Sequence, residues 1–477
     1  MIRPPAPLSV AIGRAARGLT RLRGGSGSAF PGLLVEKLDP QFLARALAKL
    51  PRGVVVVSGT NGKTTTTKMV VELLRGQGLK VFTNSSGSNF TRGVVASVLG
   101  EASFTGRLDA DIAVLELDEA HAVHFVRAVN PDYSLLLNVM RDQLDRFGEI
   151  DATAGLLRTI AEHTTKGVVL NREDARVRAI ADSLHSQQIR YFGLAPELRK
   201  LFPSDDEMHS ASSAGGETPP RSRPDAAAPA ITPEDSASGG PDGTGGETPD
   251  NEPVEPAGTG LISTPAEELP EADVLLTGLQ NRGGSFRLGS KDITTELTVN
   301  GAYNTYNAAA ALALVRQVLG ADINDDALIS SLAQVAPAFG RGESLTVGGQ
   351  PLDLVLVKNP AGFRLGLSSF SAEGVATMIA INDNYADGRD MSWLWDVSFD
   401  SLAAGGVKMV SGVRAYDMGL RLAYDDVDVT ALEPNLKSAL EAFLAAHPEE
   451  PKRIFCTYTA MLALRKHLSA YTEVEGF

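Results

Sequence analysis

The chain has 477 residues, of which 43% are hydrophobic and 21% charged, as in a globular protein with more than one domain. Its single cysteine, Cys456, excludes an internal disulfide framework and any zinc site built from several cysteines, in keeping with a reducing cytosol. The net charge of −14 identifies no partner class, because residues 203–272 hold 15 acidic residues against 2 arginines and the remainder is nearly balanced.

The N-terminal arm, residues 1–50, is basic at its start and is predicted to be helical. Its first 30 residues contain five arginines and no acid, but no apolar core of an export signal follows them. No part of the chain approaches the roughly 20 apolar residues of a membrane span. A solvated helix is favoured over a weak amphipathic helix on an anionic membrane surface. We therefore expect a cytoplasmic protein with at most peripheral membrane contact.

Short apolar runs separated by helix-length segments begin after residue 51. After a glycine-rich turn, a helical pattern, Lys68–Leu74, follows the first run. Such an alternation predicts a parallel β-sheet with helices on both faces. The runs are Val54–Val57, Ile112–Leu115, Ser134–Leu137 and Gly167–Leu170.

A glycine-rich loop joins the first strand to the first helix of this series. Backbone N–H groups at a helix N-terminus favour a polyphosphate, Lys63 can supply a cation to it, and the Thr64 hydroxyl can ligate Mg²⁺. The general P-loop has glycine where this chain has Val57, and this departure fits a subtype of the motif. The predicted phosphate-binding residues are Gly59, Thr60, Asn61, Gly62, Lys63, Thr64 and Thr65.

A later strand of the series ends in carboxylates, in the segment Leu115–Glu119. Because Mg²⁺ prefers oxygen ligands and takes only one or two from a protein, we predict Glu116 as a magnesium ligand together with Thr64. Asp118 and Glu119 are predicted to be solvated or to cap the next helix.

The acidic stretch, residues 203–272, contains 12 of the 26 prolines and no aromatic residue. It cannot bury enough apolar surface to offset the entropy of ordering, so it is predicted to be a disordered insertion. It would interrupt a domain spanning residues 51–341. An Ala-rich helix at Asn304–Leu319 and a second strand–helix series from Leu352 onward follow, and the latter predicts another α/β domain over residues 342–477.

The most concentrated polar feature of this second domain is Asp383–Asp396, which includes both tryptophans, Trp393 and Trp395. Two interpretations stay open. The indoles can pin the loop into the core, or they can form a surface for a partner, since aromatic residues beside charges favour interfaces. Cys456 follows an apolar strand and is predicted to be a packed core residue rather than a nucleophile.

Several of these pieces, in this order, resemble the Mur ligase superfamily of ATP-dependent ligases. The matching motifs are the glycine-rich loop, Glu116, Arg141-Asp142-x-Leu144-Asp145, Gly301-x-x-Asn304-x-x-Asn307 and Phe339-Gly340-Arg341-Gly342-Glu343. The resemblance implies a central P-loop ATPase domain with a parallel sheet and a C-terminal Rossmann-like α/β domain. It also implies ATP and Mg²⁺, with nucleotide contacts from Asn304, Asn307 and Arg341. The chain departs from the superfamily in two ways. Gln143 stands where the superfamily has a magnesium-ligating His, and no counterpart of the superfamily's carbamoylated lysine can be identified.

The last third resembles one branch, the MurT family of ligase subunits of lipid II isoglutaminyl synthase. The matching segments are Lys358–Phe363, Asn382–Asp396 and Ser411–Asp417. Many members of that family carry a four-cysteine zinc ribbon where this chain has the acidic insertion, so zinc is not expected here.

This resemblance implies amidation of the α-carboxyl of D-glutamate in the lipid II stem peptide, giving D-isoglutamine through an acyl phosphate. It implies ammonia from a partner, a GatD-type class I glutaminase, in a complex at the inner face of the membrane, with no nucleic acid. In the family an aspartate near the tryptophans completes the partner's catalytic residues. The candidates are Asp390, Asp387 and Asp396 in falling order.

Two other hypotheses remain. One is a Mur or folylpolyglutamate-type ligase that joins an amino acid to its substrate, which the Gln143 departure and the Asp383–Asp396 segment disfavour. The other is a nucleotide-binding scaffold that regulates a partner without ligation. Amino-acid-dependent phosphate release without a partner would support the first, and phosphate release without ligated product would support the second.

Overall fold

The computed structural model describes residues 6–22, 29–84, 90–140, 150–202, 269–280, 282–299, 301–336, 341–369 and 372–474. Several sequence predictions fall outside these ranges. They are the acidic insertion up to residue 268, the segment Arg141–Asp145 with Gln143, and Phe339–Gly340.

The first sheet has nine strands in the order β2-β3-β1-β4-β5-β6-β7-β8-β9. Neighbours from β2 to β7 pair in parallel, and β7, β8 and β9 pair antiparallel at one edge. The strands are β1 (Val54–Ser58), β2 (Val81–Thr83), β3 (Ile112–Glu116), β4 (Tyr133–Leu136), β5 (Gly167–Asn171), β6 (Gln188–Leu194), β7 (Val274–Gln280), β8 (Gly283–Leu288) and β9 (Lys291–Thr295).

Both faces of this sheet are buried, as the unbroken apolar runs predicted. Along β1, Val55 and Val57 pack into one apolar core, whereas Val54 and Val56 pack into the other. Successive side chains of a strand point to opposite faces, so a strand covered on both sides has to be apolar at every position. The prediction of a parallel α/β sheet is confirmed.

Helices cover both faces of this sheet. The three N-terminal helices contact the helix Thr91–Glu101. The helices of this half are α1 (Ala6–Leu22), α2 (Ala29–Leu38), α3 (Phe42–Leu47), α4 (Lys63–Gly76), α5 (Thr91–Glu101), α6 (Glu119–Ala128), α7 (Ile150–His163), α8 (Ala175–Arg178), α9 (Ala302–Leu319) and α10 (Asp325–Ala333).

The basic helix α1 is tied to the body of the protein by its arginines. Arg14 donates hydrogen bonds to the carbonyls of Leu99 and Ala102 at the end of α5, where a cation also suits the helix dipole. Across the part of the chain that the structure describes, none of the helices combines the length and the apolar character needed to cross a membrane.

The second sheet has six strands in the order β10-β11-β15-β12-β13-β14, of which only the β10–β11 pair is antiparallel. Its two faces also carry separate apolar cores. The elements are β10 (Arg341–Val347), β11 (Gln350–Leu356), α11 (Pro360–Ser369), β12 (Ala376–Ala380), β13 (Met409–Ser411), α12 (Ala415–Tyr424), β14 (Leu432–Glu433), α13 (Leu436–Ala446), β15 (Lys452–Cys456) and α14 (Tyr458–Leu468).

The predicted helix at Asn304–Leu319 is α9. The four apolar runs predicted as strands of the first series lie in β1, β3, β4 and β5, and the second series predicted from Leu352 onward begins in β11. The antiparallel strands β8 and β9 carried no such signal, because they form an edge where polar and apolar residues mix. The second sheet begins at Arg341. The division into units 1–50, 51–341 and 342–477 remains a prediction.

Candidate active site between the two sheets

The loop after β1 is shaped by two glycines in the left-handed region. Gly59 has φ +134° and Gly62 has φ +86°, and α4 begins at the next residue, Lys63. Gly62 also lies against α9, because a Cβ added to it would be 2.6 Å from Asn307 Oδ1. Glycine is therefore required there both for the backbone turn and for the close approach of α9.

The loop is held open by the segment that follows β4. The Asn61 N–H donates to Asn138 Oδ1 at 2.8 Å, and Asn138 Nδ2 donates to the Asn61 carbonyl at 3.0 Å. The Thr60 N–H donates to the Asn138 carbonyl at 3.0 Å, and Met140 N–H donates to Thr60 Oγ1 at 3.1 Å. These hydrogen bonds hold the loop in one conformation before any ligand binds, which lowers the entropic cost of binding.

Lys63 is buried, with 6% of its surface exposed, and it lines a cavity beside the loop. Its Nζ donates to the Gly59 carbonyl at 2.5 Å and lies 3.2 Å from Glu119 Oε2. The prediction that Glu119 is solvated or a helix cap is wrong. Glu119 is the first residue of α6 and is 2% exposed, so its carboxylate neutralises the lysine inside the protein.

Thr64 and Glu116, the two predicted magnesium ligands, are in contact. Thr64 Oγ1 donates to Glu116 Oε1 at 2.7 Å. The main chain of Glu116 is fixed by Asn84, which accepts from its N–H at 3.0 Å and donates to its carbonyl at 2.9 Å. The Thr64 hydroxyl in the first turn of α4 and the Glu116 carboxylate at the end of β3 form an oxygen donor set that fits a hard divalent cation.

The cavity between the loop, α9 and the second sheet has a volume of about 170 Å³. It brings together most of the predicted nucleotide-binding residues. Its lining includes Thr60, Asn61, Gly62, Lys63, Thr65, Asn304 and Asn307. Thr64 turns instead toward Glu116, and Arg341 begins β10 with its side chain outside the described residues.

A second cavity, of about 210 Å³, adjoins the first and shares Asn138, Met140, Tyr303 and Asn307 with it. Aromatic rings of Phe192, Phe202 and Tyr306 line it. The Tyr303 hydroxyl is buried and has no hydrogen-bond partner among the residues the structure describes. The two cavities together can accept one elongated ligand with a polar head and a flat apolar body.

Sequence reasoning missed the residues that reach this site from the second sheet. Lys358 and Asn359 follow β11, and Lys358 Nζ donates to the Thr60 carbonyl at 3.3 Å. Asn359 Nδ2 donates to Asn61 Oδ1 at 3.2 Å. The segment Lys358–Phe363 stood out in the sequence, but nothing local indicated that it would meet a loop almost three hundred residues away.

The three candidate aspartates of the second sheet have different environments. Asp387 is 1% exposed and accepts hydrogen bonds from the N–H groups of Thr459 and Asn384. Burial raises the pKa of Asp387, an effect that the Thr459 hydrogen bonds oppose. Asp390 is exposed and accepts from the Ser392 N–H at 2.9 Å, and hydrogen bonding with Ser392 lowers the pKa of Asp390.

Asp396, also exposed, ends the turn that carries both tryptophans. Its carbonyl accepts a hydrogen bond from Arg364. Trp393 is buried at 6% exposure, as expected if the loop is pinned into the core, whereas Trp395 is 48% exposed; its role in a partner surface stays a prediction.

Cys456 is fully buried at the end of β15. Burial raises the pKa of its thiol, and the Asp387 carboxylate adds to this effect. The expectation of a packed core cysteine is confirmed, because a thiol that resists ionisation is a poor nucleophile.

The phosphate-type loop at the edge of a parallel sheet, faced by a second α/β sheet, belongs to the fold of the Mur ligases. The fold matches MurF from Acinetobacter baumannii with a TM-score of 0.62 and 17% identity, over 91% of this chain and 80% of that chain. It matches the MurF ligase from Thermotoga maritima in complex with ADP with a TM-score of 0.60 and 15% identity, over 92% and 84%. The family model for the Mur ligase middle domain matches residues 57–214, and the model for the MurT ligase C-terminal region matches residues 356–461.

Curated relatives identify the branch. The lipid II isoglutaminyl synthase (glutamine-hydrolyzing) subunit MurT of Streptococcus pneumoniae (strain ATCC BAA-255 / R6) is 30% identical over 464 residues, which is 95% of this chain and 94% of that protein. The protein of that name from Staphylococcus aureus (strain COL) is 27% identical over 88% of both chains. The chain belongs to the MurT family and is a Mur-type ligase subunit.

Proposed function

We propose that this protein is the ATP-dependent ligase subunit that amidates the α-carboxyl of D-glutamate in the lipid II stem peptide, giving D-isoglutamine. The observation that carries the proposal is the phosphate-type cradle of Lys63, Thr64 and Glu116, facing a second sheet in a chain of the MurT family. Its lipid-linked acceptor would place the enzyme at the inner face of the membrane.

The two joined cavities would hold ATP. The loop N–H groups and Lys63 would take the phosphates, while Asn304 and Asn307 would contact the nucleotide from α9. The aromatic walls suit a purine base, and the Tyr303 hydroxyl, which has no hydrogen-bond partner among the described residues, offers it a hydrogen bond. Arg341, the first residue of β10, would also contact the nucleotide.

Thr64 and Glu116 would hold Mg²⁺, because their oxygens already lie within hydrogen-bond distance of each other. When bound, the ion would offset negative charge on the polyphosphate and orient it. Lys63 and the loop N–H groups would stabilise the rest of the negative charge on the phosphates. Because they are fixed before the reaction, they need little reorganisation during it.

The chemistry needs two displacements. A carboxylate oxygen of the acceptor attacks the γ-phosphorus of ATP, the bond from that phosphorus to the β–γ bridging oxygen breaks, and ADP leaves. The ammonia nitrogen then attacks the carbonyl carbon of the acyl phosphate. The carbon–oxygen bond to phosphate breaks, inorganic phosphate leaves, and the nitrogen loses a proton to give the amide.

Ammonia would come from a GatD-type class I glutaminase, since Cys456 is buried and cannot act as the glutaminase nucleophile. A surface suited to a partner lies beside the tryptophan loop. On α12, three large side chains recur at every fourth position and are 70%, 55% and 70% exposed, namely Tyr416, Leu420 and Tyr424. Trp395 stacks edge-on against Tyr424 at 5.1 Å between ring centroids, so loop and helix form one aromatic face.

We place the aspartate that serves the glutaminase in the same region. Asp390 is the first candidate because it is exposed and ionises easily. Asp387 is less suited, since its oxygens are engaged by Thr459 and Asn384 and hold the loop to α14. Asp396 remains the third candidate.

Reconstitution tests the proposed function. The chain, combined with a GatD-type glutaminase, ATP, Mg²⁺ and glutamine, should convert lipid II to a product lighter by about one mass unit, the difference between an acid and its amide. Mass spectrometry of the product measures this. Unchanged lipid II under these conditions would contradict the proposal, and phosphate release that requires an added amino acid would favour an amino-acid ligase.

Introducing charge into the aromatic face should separate the subunits. We expect Tyr416→Glu combined with Tyr424→Glu to weaken the complex by about 1,000-fold, because loss of central aromatic contacts costs roughly 2 kcal/mol or more each and about 1.4 kcal/mol is a factor of ten. Sedimentation or biolayer interferometry against the glutaminase measures this. Tyr471→Glu, at an exposed tyrosine outside α12, is the matched control. Unchanged glutaminase affinity in the double variant would place the interface elsewhere.

A further inference from the structure

The loop of the first sheet is contacted by one short segment of the second sheet, Lys358-Asn359, at the carboxyl end of β11. Asn359 is fully buried and exchanges side-chain hydrogen bonds with Asn61 in both directions, at 3.2 and 3.4 Å. This pair of amides fixes the distance between the two sheets at the loop itself.

Two lysines converge on the same atom. Lys63 Nζ lies 3.4 Å from the Thr60 carbonyl oxygen and comes from α4, whereas Lys358 Nζ lies 3.3 Å from that oxygen and comes from the second sheet. Two ammonium groups this close repel each other unless negative charge lies between or beside them. Glu119 is positioned to neutralise Lys63, and both lysines also line the cavity beside the loop.

The same segment starts a helix beside the cavity. Asn359 Oδ1 accepts from the Gly362 N–H at 2.7 Å and so caps the first turn of α11. Gly362 lines the cavity, together with Lys358. The first turns of α11 and α4 therefore both border the cavity, through Gly362 and Lys63, and helix N-termini favour an anion.

We propose that Lys358 is a second cation for the terminal phosphate of the nucleotide, supplied from the second sheet, and that Asn359 is its positioning residue. This inference rests on the proposed function and extends it. As the bond from the γ-phosphorus to the bridging oxygen breaks and the bond to the acceptor carboxylate forms, the Lys358 side chain offsets charge on the transferring group. Because Lys358 belongs to the second sheet, the site is complete only while Asn61 and Asn359 hold the sheets together.

Equilibrium binding of two nucleotides to the full chain tests this, because only one has a γ-phosphate. For Lys358→Met we expect the dissociation constant of the non-hydrolysable analogue AMPPNP, with Mg²⁺, to rise about ten-fold or more, as for loss of a charge-assisted hydrogen bond. That of ADP should change less than about two-fold. Lys358→Arg should restore part of the difference. Lys437→Met, which removes an exposed lysine on α13, is the matched control and should change neither constant.

A second variant tests the positioning role. Asn359→Ser keeps an oxygen that can cap α11, removes the amide donor to Asn61 and buries no charge, so we expect a folded protein with the same selective loss of AMPPNP affinity. Equal weakening of both nucleotides in Lys358→Met, or no weakening, would overturn the inference. A selective loss of AMPPNP in a protein that forms no amidated lipid II would uphold the inference and contradict the proposed acceptor.

Discussion

Replacing Lys63 with alanine is expected to reduce ATP-dependent amidation by about 10³-fold or more, because the loop would lose the cation that meets the phosphates. Steady-state product formation by the reconstituted complex measures the loss. The substitution also leaves Glu119 buried without its cation, which is expected to destabilise the fold by roughly 3–5 kcal/mol. Thermal unfolding of the variant is therefore measured beside its activity.

The double variant Lys63→Ala with Glu119→Gln separates these two effects. It removes the buried negative charge together with the positive one, so stability should return while amidation stays lost. Amidation by the single variant at the wild-type rate would show that Lys63 does not contact the phosphates. Recovery of amidation in the double variant would show that the lysine acts only through stability.

Replacing Glu116 with glutamine is expected to raise the Mg²⁺ concentration for half-maximal activity by about ten-fold or more and to lower the maximal rate. Glutamine can still accept the hydrogen bond from Thr64, so the loop should keep its shape while the anionic ligand is lost. A Mg²⁺ titration of initial rates measures the change.

Asp118→Asn is the matched control for this experiment. Asp118 lies two residues further along the chain, is partly exposed and makes no side-chain cap to α6. Its replacement should change the Mg²⁺ dependence by less than about two-fold. Equal effects of the two substitutions would indicate a general loss of negative charge rather than loss of a ligand.

Much of the architecture could be predicted because its signals are local. A strand buried on both faces has to be apolar throughout, which marked β1, β3, β4 and β5. The loop with Lys63 and Thr64 was recognisable because a phosphate cradle needs its glycines and cation in adjacent positions. The antiparallel strands β8 and β9 gave no comparable signal, since their burial depends on what packs beside them.

The candidate site was predicted in part for the same reason. Glu116 could be placed because the ends of neighbouring parallel strands meet at one edge of the sheet, and its contact with Thr64 agrees with that rule. Glu119 was wrongly expected to be solvated, because its burial results from the packing of α6 near Lys63. In the sequence, a glutamate at the start of a helix looks the same whether it is solvated or buried beside a lysine.

By itself, the sequence determined the alternation of strands and helices, the phosphate-type loop and the lone core cysteine, since each follows from residue types at fixed short spacing. The tertiary structure alone decided how the site is closed. Asn138 meets Asn61 across 77 positions of the chain, and Asn359 meets it across 298. Such contacts depend on how two sheets pack together, and the residues that make them carry no mark of their partner in the surrounding sequence.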